Sequence, residues 1–165
     1  LKMACDISNG RVEPCKDAVG GLDAIYLINY GDYALSDLTY DVTNTDMIND
    51  INSVSNVYKF ELKGTNSFEQ TINSNRENGT TFVEQVLTVT LKKQDAATHK
   101  LVKLLAYGRP HVIVRNRDGQ YFLAGLERGM DMTSGTISNG TALGDLSGYT
   151  LTFRSEEHTS ELQSH

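Results

Sequence analysis

Alternating apolar and polar residues dominate the chain from residue 23 onward. In residues 57–63, for example, Tyr58, Phe60 and Leu62 alternate with charged residues, which predicts a strand with one apolar face and one face exposed to solvent. Five other segments are also predicted to be strands: 23–30, 110–114, 121–124, 130–133 and 147–153. Short strands of this kind predict antiparallel sheets that turn one face toward a core.

The longest alternating stretch predicts a central hairpin at about residues 66–91. Its first strand carries Phe68 and Ile72, and a polar loop at residues 73–79 leads into the second strand. Apolar side chains share one face of that second strand, and polar side chains share the other. The apolar residues are Val83, Leu87, Val89 and Leu91, and the polar ones are Glu84, Thr88 and Thr90.

After the hairpin the period changes to that of a helix, predicted at about residues 95–107. Asp95 can cap its first turn, and Gly108 stands at the usual stop position. The stripe expected to face the core consists of Ala97, Leu101, Leu104 and Leu105. Strands, hairpin and helix together predict a mainly β fold, either an antiparallel β-sandwich or an open barrel with one packed helix. Residues 31–55 follow no clear pattern and are assigned to no element.

The composition narrows the class of protein. The chain has 165 residues, enough for one domain, and a formal net charge of -6. An acidic balance disfavours a surface that binds nucleic-acid phosphates, which needs clustered Lys and Arg. No apolar run reaches the roughly 18 residues of a membrane span, so no membrane association is expected.

Both ends of the chain are unusual. Residues 1–2 precede Met3 and are interpreted as a spurious leader, which leaves 3–153 as a single β-rich domain. The run Arg-Ser-Glu-Glu-His-Thr-Ser-Glu-Leu-Gln-Ser-His at residues 154–165 looks like the translation of a common sequencing adapter. On this interpretation the tail is artefactual, the gene has a metagenomic origin, and the natural C-terminus is not represented.

Residues capable of catalysis or metal binding are few. Cys5 and Cys15 lack the paired spacing of a zinc site, so they form either a disulfide across a short loop or two unlinked thiols. His99 has the pattern of a helix residue, and His111 that of a strand residue. We therefore expect no enzymatic activity, no metal and no cofactor.

The hairpin favours a role in protein assembly over a role in catalysis. In ring-forming proteins, hairpins of neighbouring subunits pair edge to edge, and ring closure removes the exposed strand edges. The polar face of the hairpin then lines a lumen that offers few cations to phosphate. The candidate interface or lumen residues are Glu69, Thr71, Asn75, Arg76, Glu77, Glu84, Thr88 and Thr90.

The order of N-terminal strand, central hairpin, helix and closing strands through residues 146–153 resembles tail-tube and related ring proteins of tailed bacteriophages. Residues 3–17 and 125–131 also look like parts of structural proteins of gut-associated phages. The resemblance covers residues 3–153. It implies a virion structural protein that forms homomeric rings, commonly hexameric, stacked into the tube that conducts DNA. The implied partners are further copies and other tail proteins, with DNA only passing through. The implied location is the virion tail, after synthesis in the host cytoplasm.

Two other functions fit the same pattern. One is another neck, baseplate or head-completion component of the virion. The other is a monomeric β-barrel that binds a small ligand or glycan. The latter would require a closed apolar cavity or an aromatic-lined groove, and the low aromatic content of 8% without Trp makes it less attractive.

Overall fold

The computed structural model describes residues 10–16, 20–30, 38–40, 42, 47–51, 57–62, 66–126, 128–157 and 161–163. Most of the described residues are in strands, and one helix is present among them. In chain order the elements are β1 (Leu22–Ile28), β2 (Leu38–Tyr40), β3 (Met47–Ile51), β4 (Tyr58–Glu61), β5 (Ser67–Asn75), β6 (Thr80–Lys92), α1 (Ala96–Tyr107), β7 (His111–Asn116), β8 (Tyr121–Ala124), β9 (Asp131–Ser138), β10 (Gly148–Glu157) and β11 (Glu161–Gln163).

The strands form two sheets that pack face to face. The larger sheet has the order β2-β3-β11-β8-β7-β1-β4, and the smaller has the order β5-β6-β10-β9. All pairings are antiparallel except that of β11 with β3, which is parallel. The predicted mainly β fold is confirmed, and of its two versions the structure has the β-sandwich.

The main core lies between the two sheets. The smaller sheet contributes Leu87, Tyr149 and Phe153, and the larger contributes Ile25 and Val112, all at most 2% exposed. Leu87 stands opposite Phe153 in the register of β6 and β10. Because successive side chains point to opposite faces of a strand, the residues directly before and after each of these point away from this core.

A second apolar cluster covers the other face of the larger sheet. Ile113 and Leu123 point into it, and Leu38 and Ile48 cover them from β2 and β3. These two short strands lie in residues 31–55, where the sequence pattern predicts no element. A strand of three or five residues is too short to show a period, and the cluster that stabilises it forms only through distant residues.

The central hairpin is confirmed as β5 and β6. Their register places Phe68 opposite Leu87 and Ile72 opposite Val83. A turn at residues 76–79 connects the strands, and Gly79 has a φ of 65° there. Val83, Leu87 and Val89 are buried as predicted, whereas Ile72, on the edge strand β5, is 72% exposed.

The helix is confirmed, but its predicted apolar stripe is only partly covered: Leu105 packs against the core, and the rest of the stripe is exposed. The Asp95 carboxylate accepts a 2.7 Å hydrogen bond from the Thr98 N–H, as a helix cap does. Val102 is the buried residue of α1, while Leu101 and Leu104 are 42% and 58% exposed. Residue spacing identifies an apolar stripe on the helix. Which part of that stripe is buried depends on how the helix packs against the sheet.

The C-terminal strands include residues that the sequence pattern assigned to the tail. β10 continues past Phe153, and Arg154 to Glu157 pair with β6 from Val86 to Val83. β11 pairs with β8. The pairing describes how these residues fold and has no bearing on their origin, so the adapter interpretation stays a prediction. Residues 1–2 lie outside the described residues.

Candidate functional site

Six of the eight candidate lumen residues lie on one surface, the face of the small sheet that points away from the core. We call this surface the outer face. Leu87 and Val89 point into the core. Because side chains alternate between the two faces of a strand, the residues next to them in sequence point to the outer face. The six residues are Glu69, Thr71, Asn75, Glu84, Thr88 and Thr90. Arg76 and Glu77 lie instead in the turn at the tip of the hairpin.

Hydroxyl side chains form rows across the outer face. One row crosses all four strands and consists of Ser67, Thr88, Thr152 and Ser134, which are register partners. A second row contains Thr90, Thr150 and Thr136. The residues on β9 and β10 were missed by the sequence reasoning. The signal for two of them was present, since Thr150 and Thr152 alternate with Tyr149, Leu151 and Phe153.

Three charged residues of the outer face, Arg154, Glu84 and Glu156, form one paired cluster. Arg154 donates to the Glu84 carboxylate over 2.7 Å and to the Glu156 carboxylate over 2.6 Å. The hydrogen bond from Arg154 is the main reason that the pKa of Glu84 lies below its ordinary value. An arginine held by two carboxylates has little capacity left for phosphate.

Both edges of the small sheet are open in the described part of the chain. β5 is bonded to β6 and β9 to β10, and no further described strand pairs with either. These edges are long, with nine residues in β5 and eight in β9. A long open edge presents unpaired N–H and C=O groups, which is the usual requirement for pairing with another chain.

A buried polar network supports the hairpin from inside. Gln85 is 1% exposed, accepts a 2.9 Å hydrogen bond from the Gly125 N–H and donates to Gln70 over 3.2 Å. The Gly125 carbonyl in turn contacts Nδ1 of buried His111. The network ties β6 to the turn between β8 and β9. The alternating pattern does not predict a role for Gln85, because a single polar residue among apolar ones does not indicate which residue it will bond.

That turn requires glycine at two positions. Gly125 and Gly129 have φ values of 66° and 73°, and the Gly129 N–H donates to the Gly125 carbonyl. A Cβ atom on Gly129 would lie 2.4 Å from the Arg109 carbonyl oxygen. The segment 125–131, singled out in the sequence by its resemblance to phage proteins, thus holds the start of β9 against the end of α1.

The cysteines and histidines occupy separate surroundings. Cys15 is exposed, and Cys5 lies outside the described residues, so their disulfide stays a prediction. The His111 ring stacks on Tyr30 at 5.4 Å, and the His99 ring lies 6.3 Å from that of Tyr149. In the part of the chain that the structure describes, no group of three His, Cys, Asp or Glu side chains could hold a metal ion.

An apolar groove lies at one side of the sandwich. It has a volume of about 530 Å³ and is formed by α1 together with the ends of β1 and β4. Its lining includes Tyr30, Tyr58, Phe60, Leu101 and Leu104. Tyr58 and Phe60 belong to the inward face of β4, so the groove continues the core out to solvent. The sequence contains no signal for it, because both walls come from distant segments.

The chain was compared with protein-family models, with curated proteins and with solved structures, and none of them matches it. The helix α1 is too short and too polar to cross a membrane, and the other described residues add no helix that could. The features that bear on function are therefore the outer face, the two open edges and the groove.

Proposed function

We propose that the chain is a phage virion structural protein that forms homomeric rings, stacked into a tail tube. The observation that carries the proposal is the small sheet, with two open edges and a polar outer face. The resemblance in element order adds to it. In such a ring, β9 of one copy pairs with β5 of the next.

The strand directions are compatible with this closure. Along the order β5-β6-β10-β9 each strand runs opposite to its neighbour, so β5 and β9 run in opposite directions. Adding the β5 of a second copy beside β9 therefore continues the antiparallel pattern without a break. The contact is head to tail, and contacts of this type generate closed rings when the rotation between copies closes.

The size of a six-copy ring suits DNA passage. Six small sheets would supply 24 strands. With strands ~4.8 Å apart and tilted by ~40°, the barrel has a circumference of roughly 150 Å. Subtracting side chains leaves an opening of about 35 Å, wider than a DNA duplex. Rows of Thr and Ser on the outer face would line it, and Arg154 would be occupied by its two carboxylates.

Assembly is tested by electron microscopy of the negatively stained full chain, together with light scattering across a range of concentrations. Rings with a central opening are expected, and stacks of them would identify a tube. A chain that stays monomeric at high concentration contradicts the proposal.

Hydrogen exchange locates the interface. We expect amides in β5 and β9 to become protected together on assembly, because their edge groups gain partners. β6 and β10 provide the internal reference, since they are already paired on both sides. Rings in which β5 and β9 exchange as fast as in the monomer would contradict edge pairing.

Two other functions give different outcomes in these experiments. A neck, baseplate or head-completion protein would form single rings that do not stack. A monomeric ligand-binding protein is favoured by one observation, the aromatic residues Tyr30, Tyr58 and Phe60 in the groove. It predicts a monomer whose groove binds an apolar dye or a glycan at every concentration.

A further inference from the structure

The apolar groove lies on the same side of the sandwich as the β9 edge. Phe68 of β5 contacts Phe122 of β8, with ring centres 6.2 Å apart, so β5 lies over β8. β4 is an end strand of the larger sheet, three strands away from β8, and α1 contacts β9. The order of the two sheets therefore puts β4, α1 and the groove beside β9.

Helix α1 covers the inner side of this edge. The Tyr149 side chain, which points into the core, donates its hydroxyl to the Asp95 carbonyl at the start of α1. At the other end of α1, the Pro110 carbonyl accepts a hydrogen bond from the Met130 N–H, directly before β9. The start of β9 pairs at the level of Val86, on the side of the sheet where the hairpin tip projects. The C-terminal half of α1, which lines the groove, is thus at the hairpin-tip end.

Edge pairing in a ring would bring a specific residue to this groove. If β5 of a neighbouring copy pairs with β9, its inward side chains fall on the side of the sheet that carries α1. Ile72 is the inward residue nearest the tip among those that are apolar, and it is 72% exposed in the single copy. Leu101 and Leu104 of the groove are the exposed apolar residues available to meet it.

The charges of the two surfaces are complementary. Residues 96–117 contain five basic residues and no Asp or Glu, although the whole chain has a net charge of -6. Lys100, Lys103 and Arg109 lie on or beside α1 and are exposed. The hairpin, residues 66–91, carries three Glu and one Arg and is acidic as a whole, while Arg76 and Glu77 balance each other in the turn at its tip. Opposite net charges on two surfaces favour their association over that of like-charged surfaces.

We propose that the groove between α1 and β4 receives Ile72 from the hairpin of the neighbouring copy. This inference rests on the proposed ring, and it adds a second contact to the paired edges. Burying Ile72 in the groove would cover apolar surface that each copy otherwise leaves in water.

Cysteine cross-linking tests the contact. The variant combines Ile72→Cys and Leu104→Cys in a chain whose Cys5 and Cys15 are replaced by serine. Under oxidation, a head-to-tail contact links each copy to the next, so a ladder of species up to about six copies is expected on a non-reducing gel. The two single-cysteine variants are the matched controls, and they can yield dimers at most.

A charged substitution provides a second readout. Leu104→Asp is expected to raise the concentration needed for ring formation at least tenfold, because it puts a charge where Ile72 would be buried. Leu143→Asp is the matched control, since Leu143 is fully exposed in the loop between β9 and β10. It should leave ring formation unchanged.

The outcomes separate this inference from the proposed function. Rings that form without a cross-linked ladder, and that tolerate Leu104→Asp as well as Leu143→Asp, overturn the groove contact and leave the ring intact. A chain that stays monomeric in every variant overturns both.

Discussion

The two faces of the small sheet contrast sharply, although the same strands form both. On the inner face Leu87 and Phe153 are at most 1% exposed, and they pack against the larger sheet. On the outer face, one residue along each strand, Thr88 and Thr152 stand side by side facing away from the core. The inner face carries the stability of the fold, and the outer face is left available for function. Substitutions on the two faces should therefore differ greatly in effect.

The largest difference is expected between Phe153→Ala and Thr152→Ala, which are adjacent on β10. Phe153→Ala should lower the free energy of unfolding by about 3–5 kcal/mol, because it leaves a cavity between the sheets. Thr152→Ala should change it by no more than about 0.5 kcal/mol. Urea unfolding of the monomer measures both. Equal losses would show that the two faces do not differ in this way.

The buried network gives the next largest effect. Gln85→Met keeps the side-chain volume but leaves the buried Gly125 N–H without its acceptor, so a loss of about 1–3 kcal/mol is expected. Thr88→Val is the matched change on the outer face of the same strand and should be nearly neutral. If Gln85→Met were neutral in urea unfolding as well, the network would not contribute to stability.

Acid should weaken the fold through carboxylates outside the core. The Asp145 carboxylate accepts hydrogen bonds from the Ala142 N–H and from the N–H and hydroxyl of Thr141, and these lower its pKa below the ordinary 3.8. A lowered pKa means that the stabilisation is complete above about pH 4 and is lost as the pH falls through the folded-state value.

Asp145→Asn should therefore reduce the loss of urea midpoint between pH 7 and pH 3 relative to the unchanged chain. Thr133→Ala, in the exposed part of β9, is the control and should keep the full pH dependence. An unchanged pH dependence in Asp145→Asn would show that this loop does not contribute to acid sensitivity.

The smallest effect is expected for Glu84→Gln on the outer face. It removes one of the two carboxylates that hold Arg154, and both partners are in contact with solvent. Pairs of this kind contribute little to stability, so a thermal midpoint within a degree or two of the unchanged chain is expected. A large decrease in the midpoint would mean that the outer face also carries stability.

Local patterns were sufficient for much of the fold. Alternation predicts β4 and the hairpin, and short apolar runs predict β1, β7 and β8, because both signals are properties of each strand alone. Asp95 and the helix after it also follow from a local rule. The same rule could not say that Val102, rather than Leu101 or Leu104, would be buried, since that depends on where the helix lands on distant strands.

The candidate site was only partly visible in the sequence for the same reason. Glu84, Thr88 and Thr90 belong to one face by alternation. Their continuation through Thr152 and Ser134 depends on strand order, which brings Thr88 beside Thr152, 64 positions further along the chain. The partner of Gln85 and the walls of the groove likewise come from remote segments.

Spacing along the chain fixes which residues can share a face, because side-chain direction in a strand or helix depends on that spacing. Which faces pack together is a property of the whole fold. That choice depends on the order of strands in each sheet and on the packing of α1, and both are set by contacts between residues far apart in the chain. The buried Gln85, the exposed leucines of α1 and the open edges of β5 and β9 all follow from it.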